Sequence, residues 1–345
     1  MCVIFFYVNS NPTSGGYKLI LASNRDEYFA RDTQDAAKWA NAEHVYGVCF
    51  LCFEFSNYIS GIDLEPGREG GTWLAIGGHG GVFKIGALLN LTGEPKPRNA
   101  AATHHNIMHF NYDNNKADTT GNNTPTVNRQ LPLNNENFLL GRGMIVSNFV
   151  SSTDDCNIKT YNAELLADCT KYSAFNFVSI EIGDAKRHAA ITLLSNSPPT
   201  LEHFVDGKCY GFGNSLDAVP FQKVIHGRQR FQNIVENFNK KLSNVPLENA
   251  QILQNELVTN LKNLLKCKQK FWPDAELKRR APNWGEHLSA LNVNVPLADY
   301  GSRTHTVILI DEHNKMHFYE ETMAGLNPEG EWRQTHIVKH FFQIS

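Results

Sequence analysis

Two short stretches carry residues whose types could do chemistry together. The first is MCVIFFYV at the start of the chain, a cysteine at position 2 followed by six apolar residues. The second is Asn24-Arg25-Asp26-Glu27. Six apolar residues closed by Asn9, Ser10, Asn11 and Pro12 read as a buried strand, too short and without the basic start of a secretory signal. Cys2 then stands at the tip of a core strand. If the initiator methionine is trimmed, Cys2 also carries a free α-amine. One residue would then hold a nucleophile and a base, the thiol titrating at about 8.5 and the amine near 8. A guanidinium such as Arg25 would favour the thiolate, and Asp26 would hold the amine. Against this stands the plainer reading of a buried structural thiol beside a turn ion pair worth about 0–1 kcal/mol.

The elements must bring these stretches together. GYKLILAS (16–23) is expected as a second strand, joined to the first by the turn at 10–16, with Arg25 and Asp26 just past its end. Further strands are expected at 72–76, 82–90, 174–182, 188–194, 304–311, 315–320 and 336–344. Helical spacing marks 141–150, 162–172, 221–242 and 249–267. Strands, then helices, then strands predict an α+β layered protein with antiparallel sheets.

The chain has 345 residues with 32 Lys+Arg against 35 Asp+Glu, a net charge of −3. That balance gives no general attraction to nucleic acid or anionic lipid, and no run of eighteen apolar residues predicts a transmembrane helix. Seven irregularly spaced cysteines read as reduced thiols. Two stretches break the pattern: the apolar island 48–60 and the Asn- and His-rich segment 101–140, read as a disordered surface insertion. Cys49 and Cys52 have the spacing of half a zinc site, with no second pair. His104, His105 and His109 fall in the insertion. No metal site is expected. GGHGG (77–81) is a turn between strands rather than a dinucleotide loop.

MCVIFFYV, LASNRDEYFAR (21–31), PGREGGTWLAI (66–76), GRGMIVSNFV (141–150) and YGSRTHTVILID (300–311) together resemble the NRDE family, the eukaryotic transport and Golgi organisation proteins. The resemblance spans nearly the whole chain in order. It implies a single domain over 1–345 with inserts at 48–60 and 101–140, since removing them restores the family's spacing. It also implies the four-layer αββα sandwich of the N-terminal nucleophile hydrolases. Carried onto this sequence, Cys2 matches their nucleophile, Arg25 and Arg303 their arginines, and Asn214 an oxyanion-binding asparagine. Asp26 follows Arg25 more closely than in those enzymes, and Gly213 stands where relatives often carry serine.

Three uses of these residues follow from the resemblance. As a cysteine amidohydrolase or thioesterase, the chain would use Cys2, Arg25, Asp26, Asn214 and Arg303. As a haem carrier, it would hold haem transiently through Cys2, Asn24, Arg25, Glu27 and Arg303, the arginines pairing with propionates. The resemblance favours haem trafficking, with haem as cargo and no permanent cofactor, in the cytoplasm and in association with mitochondria or other organelles. Haem-donor membranes and haem-accepting proteins are the implied partners. A lipid or acyl-CoA carrier is a third use of the same cleft.

Overall fold

The computed structural model describes residues 1–31, 34–39, 42–49, 71–79, 81–93, 141–152, 156–183, 189–244, 246 and 249–341. Apart from Val48 and Cys49, both expected inserts lie outside these residues, as do Cys52, His104, His105 and His109.

In chain order the strands are β1 (Val3–Val8), β2 (Tyr17–Tyr28), β3 (Gln34–Trp39), β4 (Ala42–Cys49), β5 (Leu74–His79), β6 (Val82–Asn90), β7 (Phe175–Ile182) and β8 (Ala190–Asn196). They continue with β9 (Pro199–Phe204), β10 (Cys209–Phe212), β11 (Asn294–Val295), β12 (Tyr300–Asp311), β13 (Lys315–Met323) and β14 (Trp332–His340). The helices are α1 (Gly143–Ser151), α2 (Ile158–Asp168), α3 (Gln222–Leu242), α4 (Ala250–Leu265), α5 (Ala275–Arg280) and α6 (Gly285–Leu288). One sheet runs β10-β1-β2-β12-β13-β14 with β11 on β12, and the other runs β3 through β9 in order. Every pairing is antiparallel. The mixed α and β class with antiparallel sheets is as expected.

The hydrophobic core divides in three. Ile4, Phe6, Leu21, Ile308 and Phe318 of the first sheet meet Leu74, Ile85, Val178 and Leu193 of the second between the sheets. Val3, Phe5 and Leu309 face outward against Phe231, Val235, Leu257 and Leu261 of α3 and α4. Ala75, Phe177 and Leu194 pack against Ile145, Phe149 and Tyr161 of α1 and α2 on the opposite side. Both faces of β1 are therefore buried, which is why its sequence is a continuous apolar run.

Three departures from the sequence reading have clear causes. The NRDE string lies inside β2, not past its end, because β12 pairs alongside it from Tyr28 to Tyr17 and satisfies its backbone. The helix expected over 162–172 begins earlier, where the Asn157 side chain caps it by accepting the Thr160 N–H at 3.0 Å. It stops at Asp168, and Cys169–Lys171 forms a 3₁₀ turn. Strands β3, β4, β9 and β10 went unanticipated; they are edge strands or stand next to one, with no clean alternation.

β3 also ties the sheets together at one side. Glu320 of β13, with no exposure, accepts hydrogen bonds from the Ala36 N–H at 2.9 Å and from the Thr306 and Thr322 hydroxyls, both at 3.2 Å. Burial pushes its carboxyl up to about 7. Beside it, Arg333 forks onto Asp35 at 2.9–3.1 Å.

Candidate ligand-binding and catalytic site

The register assembles the site. Val3 pairs with Asn24 and Ile4 with Ser23, so continuing the β1–β2 pairing by one step sets Cys2 beside Arg25. Paired residues share a face. Cys2 and Arg25 therefore point into the space between the sheets with Ile4, and Asn24 points out toward the helices with Val3. On the other side of β2, Asp26 pairs with Ser302 and Arg25 with Thr304, so Arg303 is an extra residue in β12. This bulge breaks the alternation. Ser302 serves Asp26 on the outer face, and Thr304 stands beside Arg25 on the inner face.

Cys2 is partly buried, and burial pushes its thiol up. The Met1 ammonium, the Asp26 N–H and Arg25 work in the other direction, while the Asp26 carboxylate adds to the rise. Arg25 is 2 % exposed. Burial brings its guanidinium down to about 10 despite Glu27 and Cys2, and Arg31 and Arg303 add to the depression. Glu27 lies 3.6 Å from Arg25 and 2.8 Å from Arg31. Burial works against its charge, but those two arginines hold its carboxyl below the usual value. Arg303, 5 % exposed, donates to the Tyr28 carbonyl at 3.3 Å. Cys2, Arg25, Glu27 and Arg303 thus form one charged group at one end of the sandwich.

Asp26 works on the other face. Its carboxylate is 3.3 Å from the Met1 nitrogen and accepts the Ser302 hydroxyl at 2.5 Å. The Met1 ammonium also donates to the Tyr300 hydroxyl, which in turn reaches the Asp26 carbonyl at 3.4 Å. The Lys223 ammonium, 1 % exposed, donates to the Met1 carbonyl at 3.4 Å and the Ala290 carbonyl at 3.2 Å. Burial lowers its pKa, opposed by Asp26, Cys2 and Asp274. The Thr92 hydroxyl contacts Met1 Sδ at 3.0 Å. The first residue is gripped at its nitrogen, carbonyl and side chain.

Asn214 flanks Cys2 from the β10 side, where Ile4 pairs with Phe212. Its side-chain amide donates to the Asn90 carbonyl at 2.6 Å, and its backbone carbonyl accepts the Thr92 N–H at 3.0 Å. Asn176 of β7 braces this turn through the Gly213 and Ser215 carbonyls at 3.3 and 2.7 Å. A Cβ on Gly213 would come within 2.7 Å of Val224 Cγ2, so a larger residue there would press on that side chain.

Asn24 stands apart from the group. Its amide donates to the Leu265 and Leu291 carbonyls, both at 2.9 Å, and its oxygen meets His305 Nδ1 at 2.7 Å. It clamps the end of α4 and the 291 segment to the sheet, on the face opposite Arg25. Sequence reasoning missed Lys223, Tyr300, Ser302 and Thr304. A signal for Lys223 exists, since it starts the buried stripe Lys223, Gly227, Phe231, Val235, Phe238 and Leu242 of an otherwise apolar helix face.

The layers and this end of the sandwich define a two-sheet α+β protein with a thiol, two buried arginines and a carboxylate gathered around its first strand. The profile of the family described as Transport and Golgi organisation 2 matches residues 1–325. A Drosophila melanogaster protein, Transport and Golgi organization protein 2, is 55% identical over 342 residues, 99% of each chain. The mouse homologue is 27% identical over 328 residues, covering 94% of this chain and 93% of its own. The human homologue is 26% identical over 329 residues with the same coverage. The chain belongs to the Transport and Golgi organisation 2 family.

Among the described residues, no helix is long and apolar enough to cross a membrane.

Proposed function

We propose that the chain carries haem inside the cell, in the cytoplasm and in association with mitochondria or other organelles. It takes haem transiently into the end of the sandwich around Cys2, Arg25 and Arg303 and passes it on. The observation that carries this reading is the pair of buried arginines beside a partly buried thiol on the inner face. Arg303 depresses the pKa of Arg25, so an anion entering between them is favoured by both. Forked contacts from two guanidiniums suit two propionates, and apolar sheet faces suit a macrocycle. A thiol pushed up by burial is a weak, exchangeable iron ligand, which is what a carrier needs.

A hydrolytic reading draws on a different observation, the Asp26 carboxylate placed 3.3 Å from the α-nitrogen of the first residue. With methionine removed, that carboxylate would serve the α-amine of Cys2, and Asn214 would face an oxyanion. Burial disfavours the thiolate that hydrolysis needs, so carriage is the better reading. We take the scaffold to be the αββα sandwich of the N-terminal nucleophile hydrolases, used here as a binding cleft.

The test is a haem titration followed by visible absorbance on wild type, Cys2→Ala and Arg25→Met. Saturable one-to-one uptake that weakens in both variants supports carriage at this site. Diffuse, non-saturating uptake, the same in all three proteins, overturns it, and acyl amides and thioesters become the substrates to assay.

A further inference from the structure

Two buried donors face the end of the sandwich nearest Cys2 with nothing to donate to. Thr304 has no exposure and Trp73 is 5 % exposed. Neither Thr304 Oγ1 nor Trp73 Nε1 has a hydrogen-bond partner among the described residues. The nearby threonines are served, since Thr306 and Thr322 both give their hydroxyls to Glu320. Valine has the shape of threonine, so a bare hydroxyl at a fully buried position costs stability unless a ligand engages it.

Position says what that ligand offers. Thr304 pairs with Arg25, and its alternation with Thr306, Ile308 and Ile310 sets it on the inner face beside that guanidinium. Trp73 lies just before β5 of the facing sheet. It packs in the core between the sheets, and its carbonyl accepts the Leu88 N–H at 2.8 Å. Two residues beyond Leu88, the Asn90 carbonyl holds Asn214, and Thr92 touches Met1. Both donors therefore stand at the Cys2 end, one on each sheet, with a cation beside Thr304. Two neutral donors call for a small, acceptor-only group, and the excess of Arg25, Arg31 and Arg303 over Glu27 at this end favours an anionic one. A carboxylate is that group.

We propose that the Thr304 hydroxyl and the Trp73 indole N–H are carboxylate-recognising donors of the cleft. With Arg25, they make it prefer a carboxylic acid to the ester of the same skeleton. This rests on reading the cleft as a site for an acidic apolar ligand, but not on that ligand being haem.

The experiment titrates the full chain with two acid–ester pairs: protoporphyrin IX and its dimethyl ester, and palmitate and its methyl ester. Wild type, Thr304→Val, Thr304→Ser and Trp73→Phe are compared. The expected result is that wild type prefers the acid of at least one pair. Thr304→Val and Trp73→Phe then weaken that acid about tenfold and leave its ester unchanged, while Thr304→Ser keeps wild-type affinity. Thr304→Val should melt no lower than wild type, because the hydroxyl it removes is unsatisfied without ligand. Equal losses for acid and ester, or no loss for either, overturn the proposal. Palmitate binding that depends on Thr304, without porphyrin binding, sinks the haem reading and leaves this one standing. Porphyrin binding indifferent to Thr304 and Trp73 does the reverse. No binding of any of the four probes by wild type overturns both.

Discussion

Replacing Asn24 by alanine asks whether the first residue of the NRDE string holds ligand or holds the fold. Asn24 has no exposure and makes three side-chain hydrogen bonds, at 2.9, 2.9 and 2.7 Å, to the Leu265 and Leu291 carbonyls and His305. Alanine leaves two buried carbonyls and one imidazole nitrogen unpaired, in a region too closely packed for water to replace the amide easily. At about 1–2 kcal/mol for each of the three orphaned groups, the loss is about 3–6 kcal/mol. For a chain of this length that lowers the melting temperature by about 4–8 °C. Asn24→Asp should do no better, since it trades a donor for a charge facing two carbonyls. Differential scanning calorimetry at pH 7.5 reads the outcome. A loss below about 1 kcal/mol in Asn24→Ala would refute the clamp and return Asn24 to the ligand site.

Other expectations follow from single contacts. Glu320 titrates at about 7 in the folded chain against 4.5 ordinarily, so its protonated form suits the fold better. Its contribution is full below pH 4.5 and is lost as pH rises through 7, about 3 kcal/mol in all. The melting temperature of wild type should therefore fall relative to Glu320→Gln between pH 5 and about 7.5, and parallel curves would contradict the assignment. His305 acts in the opposite sense. Burial holds it at about 3 against 6.5, so its contribution is present above 6.5 and is lost as pH falls toward 3. His305→Gln should flatten that acid limb. Gly213→Ser should cost about 1–3 kcal/mol by pressing on Val224, and Val224→Ala should recover part of it in the double variant. If the two losses simply add in urea denaturation, the close contact is not the cause.

Much of this was readable in the sequence, and the part that was not has a common physical origin. Cys2 and Arg25 could be put together because a short hairpin fixes neighbours by local rules alone. The strand at 304–311 could be read from its own pattern, but its start at Tyr300 could not. The residues 300–303 are held by their partner β2 rather than by alternation, and the bulge at Arg303 leaves no mark on composition. Thr304 follows the alternation of Thr306 and Ile308, so its face was legible, but its hydroxyl's lack of a partner was not. β3 and β4 escaped because at 34–49 neither alternation nor β-branched enrichment outweighs the intervening polar residues. Asn24 was grouped with Arg25 by adjacency in sequence, whereas adjacent strand residues face opposite ways. Lys223 was legible in principle, as a lone cation on an apolar helical stripe.

The extra residue in β12 also means that losing Arg303 and changing Arg303 are different events. A substitution keeps the strand's count and alters one charge. A one-residue deletion closes the bulge and restores regular alternation, with Ser302 still opposite Asp26 and Thr304 still opposite Arg25. The grip on Met1 through Asp26 and Tyr300 would survive, while the Cys2 end would lose a cation. A second residue added at the same place would do the opposite, since it would break the register that sets Ser302 against Asp26.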